Sequence, residues 1–97
     1  MKISIIIPTR NRAKYLRDTL QSLVLSNVHD AELLIIDNGS TDLTKDVASD
    51  FIKKSNFECH YIYEQTPGLH IGRNLGAQLA QGEILAYLDD DVFVEPS

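Results

Sequence analysis

The sequence predicts an α/β domain of three layers, helices on both faces of a mostly parallel sheet, and three observations carry that expectation. Apolar, β-branched runs alternate with segments whose apolar residues recur every three or four positions. The connections between them are short, so each helix must carry the chain back to start the next strand in the same direction. The strand runs are also apolar at consecutive positions, as strands covered on both faces are.

Taken in order, Ile3 to Ile7 is nearly continuous and β-branched and Pro8 is expected to stop it. From Ala13 to Leu25 the period changes. Ala13, Leu16, Leu20, Leu23 and Val24 fall on one helical face. Leu33 to Ile36 is a second buried strand, running into the turn Asp37, Asn38, Gly39, Ser40. Thr41 or Asp42 can then cap a helix whose inward positions are expected to be Leu43, Val47, Phe51 and Ile52. Cys59 to Tyr63 reads as a third strand, with Cys59, Tyr61 and Tyr63 on one face and His60 and Ile62 on the other; both tyrosines are expected in the core. After Pro67 and Gly68, a helix over Ile71 to Ala80 is closed by Gly82, and Glu83 to Leu88 forms a fourth, buried strand.

Size and composition bound the function. A chain of 97 residues is one domain at most. Its net charge of −5 argues against a general nucleic-acid-binding surface. The apolar stretches, Ile5 to Ile7 and Leu33 to Ile36 among them, fall far short of the roughly 20 residues that span a bilayer. The N-terminus lacks the apolar region and cleavage site of a signal peptide. The single cysteine, Cys59, permits no internal disulfide and fits a reducing compartment, so a cytoplasmic location is expected.

In open α/β sheets ligands bind beyond the carboxyl ends of the strands, where strand order reverses. Four polar segments should gather there: Pro8 to Arg12, Asp37 to Asp42, the turn before Arg73, and Asp89 to Asp91. The last is three consecutive carboxylates with no lysine or arginine among them. Adjacent carboxylates repel one another unless a divalent cation or a proton removes the charge, and oxygen-only ligands favour Mg²⁺ or Mn²⁺. A solvated acidic turn is the alternative for these three residues taken alone.

The other segments also carry two readings each. Asp37 to Asp42 suits the ring edge of a base or the hydroxyls of a ribose, and equally forms an Asx turn with an N-cap. Gly72 and Gly76 each cost about 1 kcal/mol relative to alanine in a helix, so a close approach should need them. Arg73, expected in the first turn of its helix, can grip a phosphate or form a surface ion pair. His70 could touch a ligand; His29 and His60 are expected to be structural or exposed. Arg10, Asn11 and Arg12 can hold a base or phosphates, or cap the helix at Ala13. No Cys and His metal spacing, phosphate-cradling Gly-x-x-x-x-Gly-Lys loop or Gly-x-Ser-x-Gly elbow occurs.

Four colinear motifs, Ile5 to Arg12 (I-I-I-P-T-R-N-R), Ile36 to Asp42 (I-D-N-G-S-T-D), Gly68 to Gly76 (G-L-H-I-G-R-N-L-G) and Ala86 to Val92 (A-Y-L-D-D-D-V), resemble family 2 nucleotide-sugar glycosyltransferases of the GT-A fold, a Rossmann-like architecture. The resemblance covers essentially the whole chain. It implies that Pro8, Thr9 and Arg10 line the base pocket, that Asp37 and Asn38 meet base or ribose, and that Arg73 lies near base and diphosphate. It further implies that Asp89 to Asp91 form the D-x-D element, Asp91 and Asp89 on a Mn²⁺ or Mg²⁺ ion, and Asp89 or Asp90 toward the ribose.

The implied reaction is inverting transfer of a sugar from a nucleoside diphosphate (UDP, GDP or dTDP type) to a glycan, lipid or protein acceptor. Residues 1–97 are then expected to be the donor-binding part of a truncated domain, with the acceptor half and the general base beyond position 97. Many family members carry aspartate at the position of Asn38 and an aromatic at that of Arg10. Membrane association through other parts of the parent, and self-association through the truncated sheet edge, follow as expectations. The competing reading is a non-catalytic truncated module that binds nucleotide or a partner.

Overall fold

The computed structural model describes residues 2–25, 30–55, 58–66 and 68–88, and its elements follow the expected alternation. They are β1 (Ile3–Thr9), α1 (Ala13–Leu25), β2 (Ala31–Asp37), α2 (Thr44–Lys54), β3 (Glu58–Tyr63), α3 (Leu69–Leu79) and β4 (Ile84–Tyr87). All pairings are parallel and the strand order is β3-β2-β1-β4. The chain therefore builds outward from β1 to β3, then crosses back over the sheet to lay β4 on the other side of β1.

Period-two alternation divides the strands between two cores. Ile5, Ile7, Leu33 and Ile35 face α1 and α2, where Leu16, Leu20, Leu23, Val47 and Ala48 complete the larger one. Ile6, Leu34 and Ile36 face α3 and pack with Leu75 and Ala80. Gly76 permits that contact: a β-carbon there would stand 2.5 Å from Ile6 Cγ2. Cys59 packs beside the larger core, and burial pushes its thiol up to about 12, leaving little thiolate at neutral pH.

Several expectations are corrected. Pro8 does not end β1, which continues through Thr9. Ile6 accepts Leu88 N–H on the β4 side and Thr9 accepts Asn38 N–H on the β2 side. Main-chain groups alternate direction along a strand, so Pro8 turns its nitrogen toward the β4 side, where pairing has already ended at Ile6 and Tyr87. Leu43 is exposed rather than inward, because α2 starts one residue later and Thr44 takes the buried position. Tyr63 is half exposed while Tyr61 is not. β4 is an edge strand, and Ile84, Leu85 and Tyr87 are all exposed.

Two fully buried polar side chains sit at the opposite end of the sheet from the expected site. Ser4 Oγ donates to Glu32 Oε2 at 2.6 Å, and Gln81 N–H donates to the same oxygen at 2.5 Å. Gly82 N–H is shared between Ser4 Oγ and Glu32 Oε2 at 2.8 and 3.2 Å. Burial would raise the Glu32 pKa, but these donors and the nearby Lys2 ammonium outweigh it and hold the carboxyl below 4.5. Glu32 thus ties the α3–β4 connection to β1 and β2.

Two outcomes are expected. Gly76→Ala should lower the melting temperature, since overpacking against fully buried Ile6 costs about 1–3 kcal/mol and the helix-propensity gain offsets only about 1 kcal/mol. Because the Glu32 carboxyl is depressed by folding, its contribution is present above the unfolded value near 4.5 and is lost as pH falls through the folded one. A series of denaturant melts from pH 7 to pH 3 should show a shallower acid loss in Glu32→Gln than in the parent.

Candidate functional site

Strand order reverses between β1 and β4, so the crevice beyond the carboxyl end of β1 is the switch point of the sheet. β1 and β2 end level there, Thr9 opposite Asp37, and Asn38 N–H donates to Thr9 O at 2.9 Å just past them. On the far side Leu88, the residue before Asp89 in sequence, donates its N–H to Ile6 O at this same edge. Asp89, Asp90 and Asp91 themselves lie outside the described residues, as do Pro67 and His29.

The β2–α2 turn is built on Asp37. Its side chain is fully buried, Oδ1 accepting Ser40 N–H at 2.9 Å and Oδ2 accepting the Tyr61 hydroxyl at 2.6 Å. Burial, then the Asp37 carboxylate, push the Tyr61 pKa well above its ordinary value, so the phenol stays protonated and keeps donating. Gly39 takes the left-handed backbone, φ +78°, that the turn needs. Asn38 Nδ2 donates to Thr66 O at 3.3 Å, while Asn38 Oδ1 is buried without a hydrogen-bond partner. Gly72 of α3 lies directly against that oxygen, and a β-carbon at Gly72 would collide with it.

The β1–α1 loop meets this turn. Asn11, at φ +52°, accepts through Oδ1 from Thr41 N–H at 2.7 Å and Asp42 N–H at 3.3 Å, and its own N–H donates to Ser40 Oγ at 2.8 Å. Asp42 Oδ2 accepts Ala13 N–H at 3.3 Å, the first residue of α1, while Oδ1 accepts Thr44 N–H at 2.9 Å, the first residue of α2. One carboxylate thus accepts the first main-chain N–H of two helices. Burial works to raise the Asp42 pKa, but the Thr44 and Ala13 donors prevail and hold it below 3.8. Arg12 stacks on Tyr15, its guanidinium carbon 4.4 Å from the ring centroid.

Of the residues singled out from the sequence, Pro8, Thr9, Asp37 and Asn38 are buried at this edge, and Arg10 and Arg73 are exposed. α3 begins at Leu69, two residues earlier than expected, so Arg73 stands just past its first turn and exposed His70 within it. The sequence offered Asn11 and Asp42 either as ligand contacts or as local caps, and the structure uses them to join two loops. Their partners lie about 30 positions away, and no local pattern signals that pairing.

Among the described residues, one group of side chains has metal-ligand chemistry: Glu32, Glu58 and His60, with ligand atoms within 4.8 Å of one another. It lies at the amino ends of β2 and β3, away from the switch point. Lys2 Nζ already pairs with Glu58 at 2.8 Å, and Glu32 is occupied by Ser4, Gln81 and Gly82. Also among the described residues, no helix is long and apolar enough to cross a membrane.

Comparison with known proteins agrees with this geometry. The chain is 36% identical over 98 residues to the validoxylamine A glucosyltransferase of Streptomyces hygroscopicus subsp. jinggangensis, covering 97% of this chain and 23% of that protein. S. aureus TarS superposes with a TM-score of 0.88 at 28% identity, covering 98% of this chain and 29% of the TarS chain. TarS has also been solved with UDP and with UDP-GlcNAc. The mannosyltransferase PcManGT of Pyrobaculum calidifontis, solved with GDP-Man and Mn²⁺, shares the fold with a TM-score of 0.87 at 22% identity, over 93% of this chain and 27% of its own. The chain spans only part of the length of the curated relatives it matches, from 13% to 35% among eight of them. The Glycosyl transferase family 2 profile matches residues 4–97, and with the GT-A fold of these neighbours the chain belongs to that family.

Proposed function

We propose that this chain is the donor-binding part of an inverting glycosyltransferase that uses a nucleoside diphosphate sugar. The observation that carries the reading is the meeting of the Pro8–Arg12 loop, the Asp37–Asp42 turn and the chain end of β4 at the one switch point of a family 2 sheet. The bound UDP, UDP-GlcNAc and GDP-Man of the structural neighbours support a nucleotide-sugar donor.

In this reading Pro8 and Thr9 form the floor of the base pocket, with Arg10 on its rim. Asp37 acts by holding the turn, since both its oxygens are engaged. Asn38 Oδ1 is a buried acceptor without a partner, which a base or ribose donor at this edge would satisfy. Arg73 and the start of α3 offer positive charge to the diphosphate. Asp89 and Asp91 would hold Mn²⁺ or Mg²⁺, with Asp89 or Asp90 toward the ribose, because an all-carboxylate donor set suits a hard divalent cation. When bound, the ion supplies Lewis-acid neutralisation of the departing nucleoside diphosphate. No residue of this chain is assigned as general base. A cytoplasmic setting is supported by lone Cys59, and self-association through the β4 edge by exposed Ile84, Leu85 and Tyr87.

A thermal melt of the chain with UDP plus Mn²⁺, each alone, and GDP and dTDP in place of UDP tests the reading. The expected result is a rise in Tm that needs diphosphate and metal together and that Asp91→Ala abolishes while leaving the unliganded Tm in place or higher. A cooperative melt that no combination shifts would contradict it.

A further inference from the structure

Resting on the donor-site reading, we propose that Asn11 and Asp42 are positioning residues that lock the two nucleotide-facing loops into a preformed rim, setting donor affinity without touching the donor. Beyond the main-chain bond from Asn38 N–H to Thr9 O, Asn11 and Asp42 make hydrogen bonds that join the two loops. These bonds run from Asn11 N to Ser40 Oγ, from Thr41 N, Thr41 Oγ1 and Asp42 N to Asn11 Oδ1, and from Ala13 N to Asp42 Oδ2.

Both residues are exposed, so neither serves the hydrophobic core. Their bonds compete with water, which makes their net contribution to global stability modest. What they fix is geometry. Asn11 holds a left-handed backbone that asparagine tolerates better than most side chains, and this turns its amide back onto the β2–α2 turn. Asp42 joins the first residues of α1 and α2 through one carboxylate, so the loops carrying Arg10 and Asn38 cannot move apart without leaving the first N–H of a helix unpartnered by it. Loops ordered beforehand lose less conformational freedom when a ligand arrives, and the gain is read in affinity.

The variants separate the lock from its neighbours. Asn11→Gly keeps the positive φ and removes the acceptor, whereas Asn11→Asp keeps both. Asp42→Asn leaves a carbonyl oxygen to accept Thr44 N–H and sets an amide N–H₂ against Ala13 N–H. Ile3→Val, at the opposite sheet edge, is the stability control. Titration of the full chain with UDP in saturating Mn²⁺ at 10 °C, where each variant is folded, should give affinities about tenfold weaker for Asn11→Gly and Asp42→Asn. Asn11→Asp should stay within about threefold of the parent, and Ile3→Val should leave affinity unchanged despite a lower Tm.

Unchanged affinity in Asn11→Gly and Asp42→Asn would overturn the proposal and leave the donor reading standing. Absence of UDP binding by the parent chain would overturn the donor reading and this inference with it. Ser40→Ala removes a single cross-loop bond and keeps the test readable if the other two variants fold poorly; an affinity equal to the parent's would then count against the lock.

Discussion

The level ending of β1 and β2, paired in parallel register from Ile3 opposite Ala31 to Thr9 opposite Asp37, is the constraint on which the rest of this molecule depends. Both strands are buried on both faces, so they sit at the centre of the sheet and every later element must be added outside them. Because they are parallel, α1 has to carry the chain back across one face. Once β3 is laid beside β2, β4 takes the free side of β1 rather than the outer edge of β3. That return makes the switch point. The Asn38 N–H to Thr9 O bond then carries the pairing one residue past the strands and fixes the two loops that leave them.

Charge and burial divide the sheet into two ends with different work. At the amino end, Glu32 is fully buried and surrounded by Ser4, Gln81 and Gly82, and this cluster closes the structure by tying in the last crossover. A buried carboxylate with its donors satisfied holds position, and losing one partner is costly. At the carboxyl end, Asp37 is equally buried, yet its partners Tyr61 and Ser40 order a turn beside an unpartnered Asn38 oxygen. The same chemistry, a shielded carboxylate accepting neutral donors, stabilises the fold at one end and orders a turn at the other.

The order of elements was legible because it depends on local periodicity. Ile3 to Ile7 and Leu33 to Ile36 could only be buried strands, and the spacing of Leu16, Leu20 and Leu23 could only suit a helix on a sheet. Gly72 and Gly76 announced close approach, and the approach is to Asn38 and Ile6. What remained hidden depends on partners distant in sequence. Strand order decides that β4 is an edge, so the exposure of Ile84, Leu85 and Tyr87 could not be read from an apolar run. Leu43 looked inward because it stands four residues before Val47, but it is the N-cap of α2, outside the helix, so it is exposed while Val47 stays buried. The burial of Ser4 and Glu32, and the loop lock through Asn11 and Asp42, rest on bonds 28 or more residues apart, for which the chain carries no local signature.

The central claim is that nucleotide binds at the carboxyl edge of β1, in the rim formed by the β1–α1 loop and the β2–α2 turn. Its most direct test is a ¹⁵N-labelled NMR titration of the chain with UDP and Mg²⁺. Amide shifts are expected to be confined to residues 9–12, 37–42, 70–73 and 88–91. Shifts centred instead on Lys2, Glu32, Glu58 and His60 at the opposite edge would contradict it.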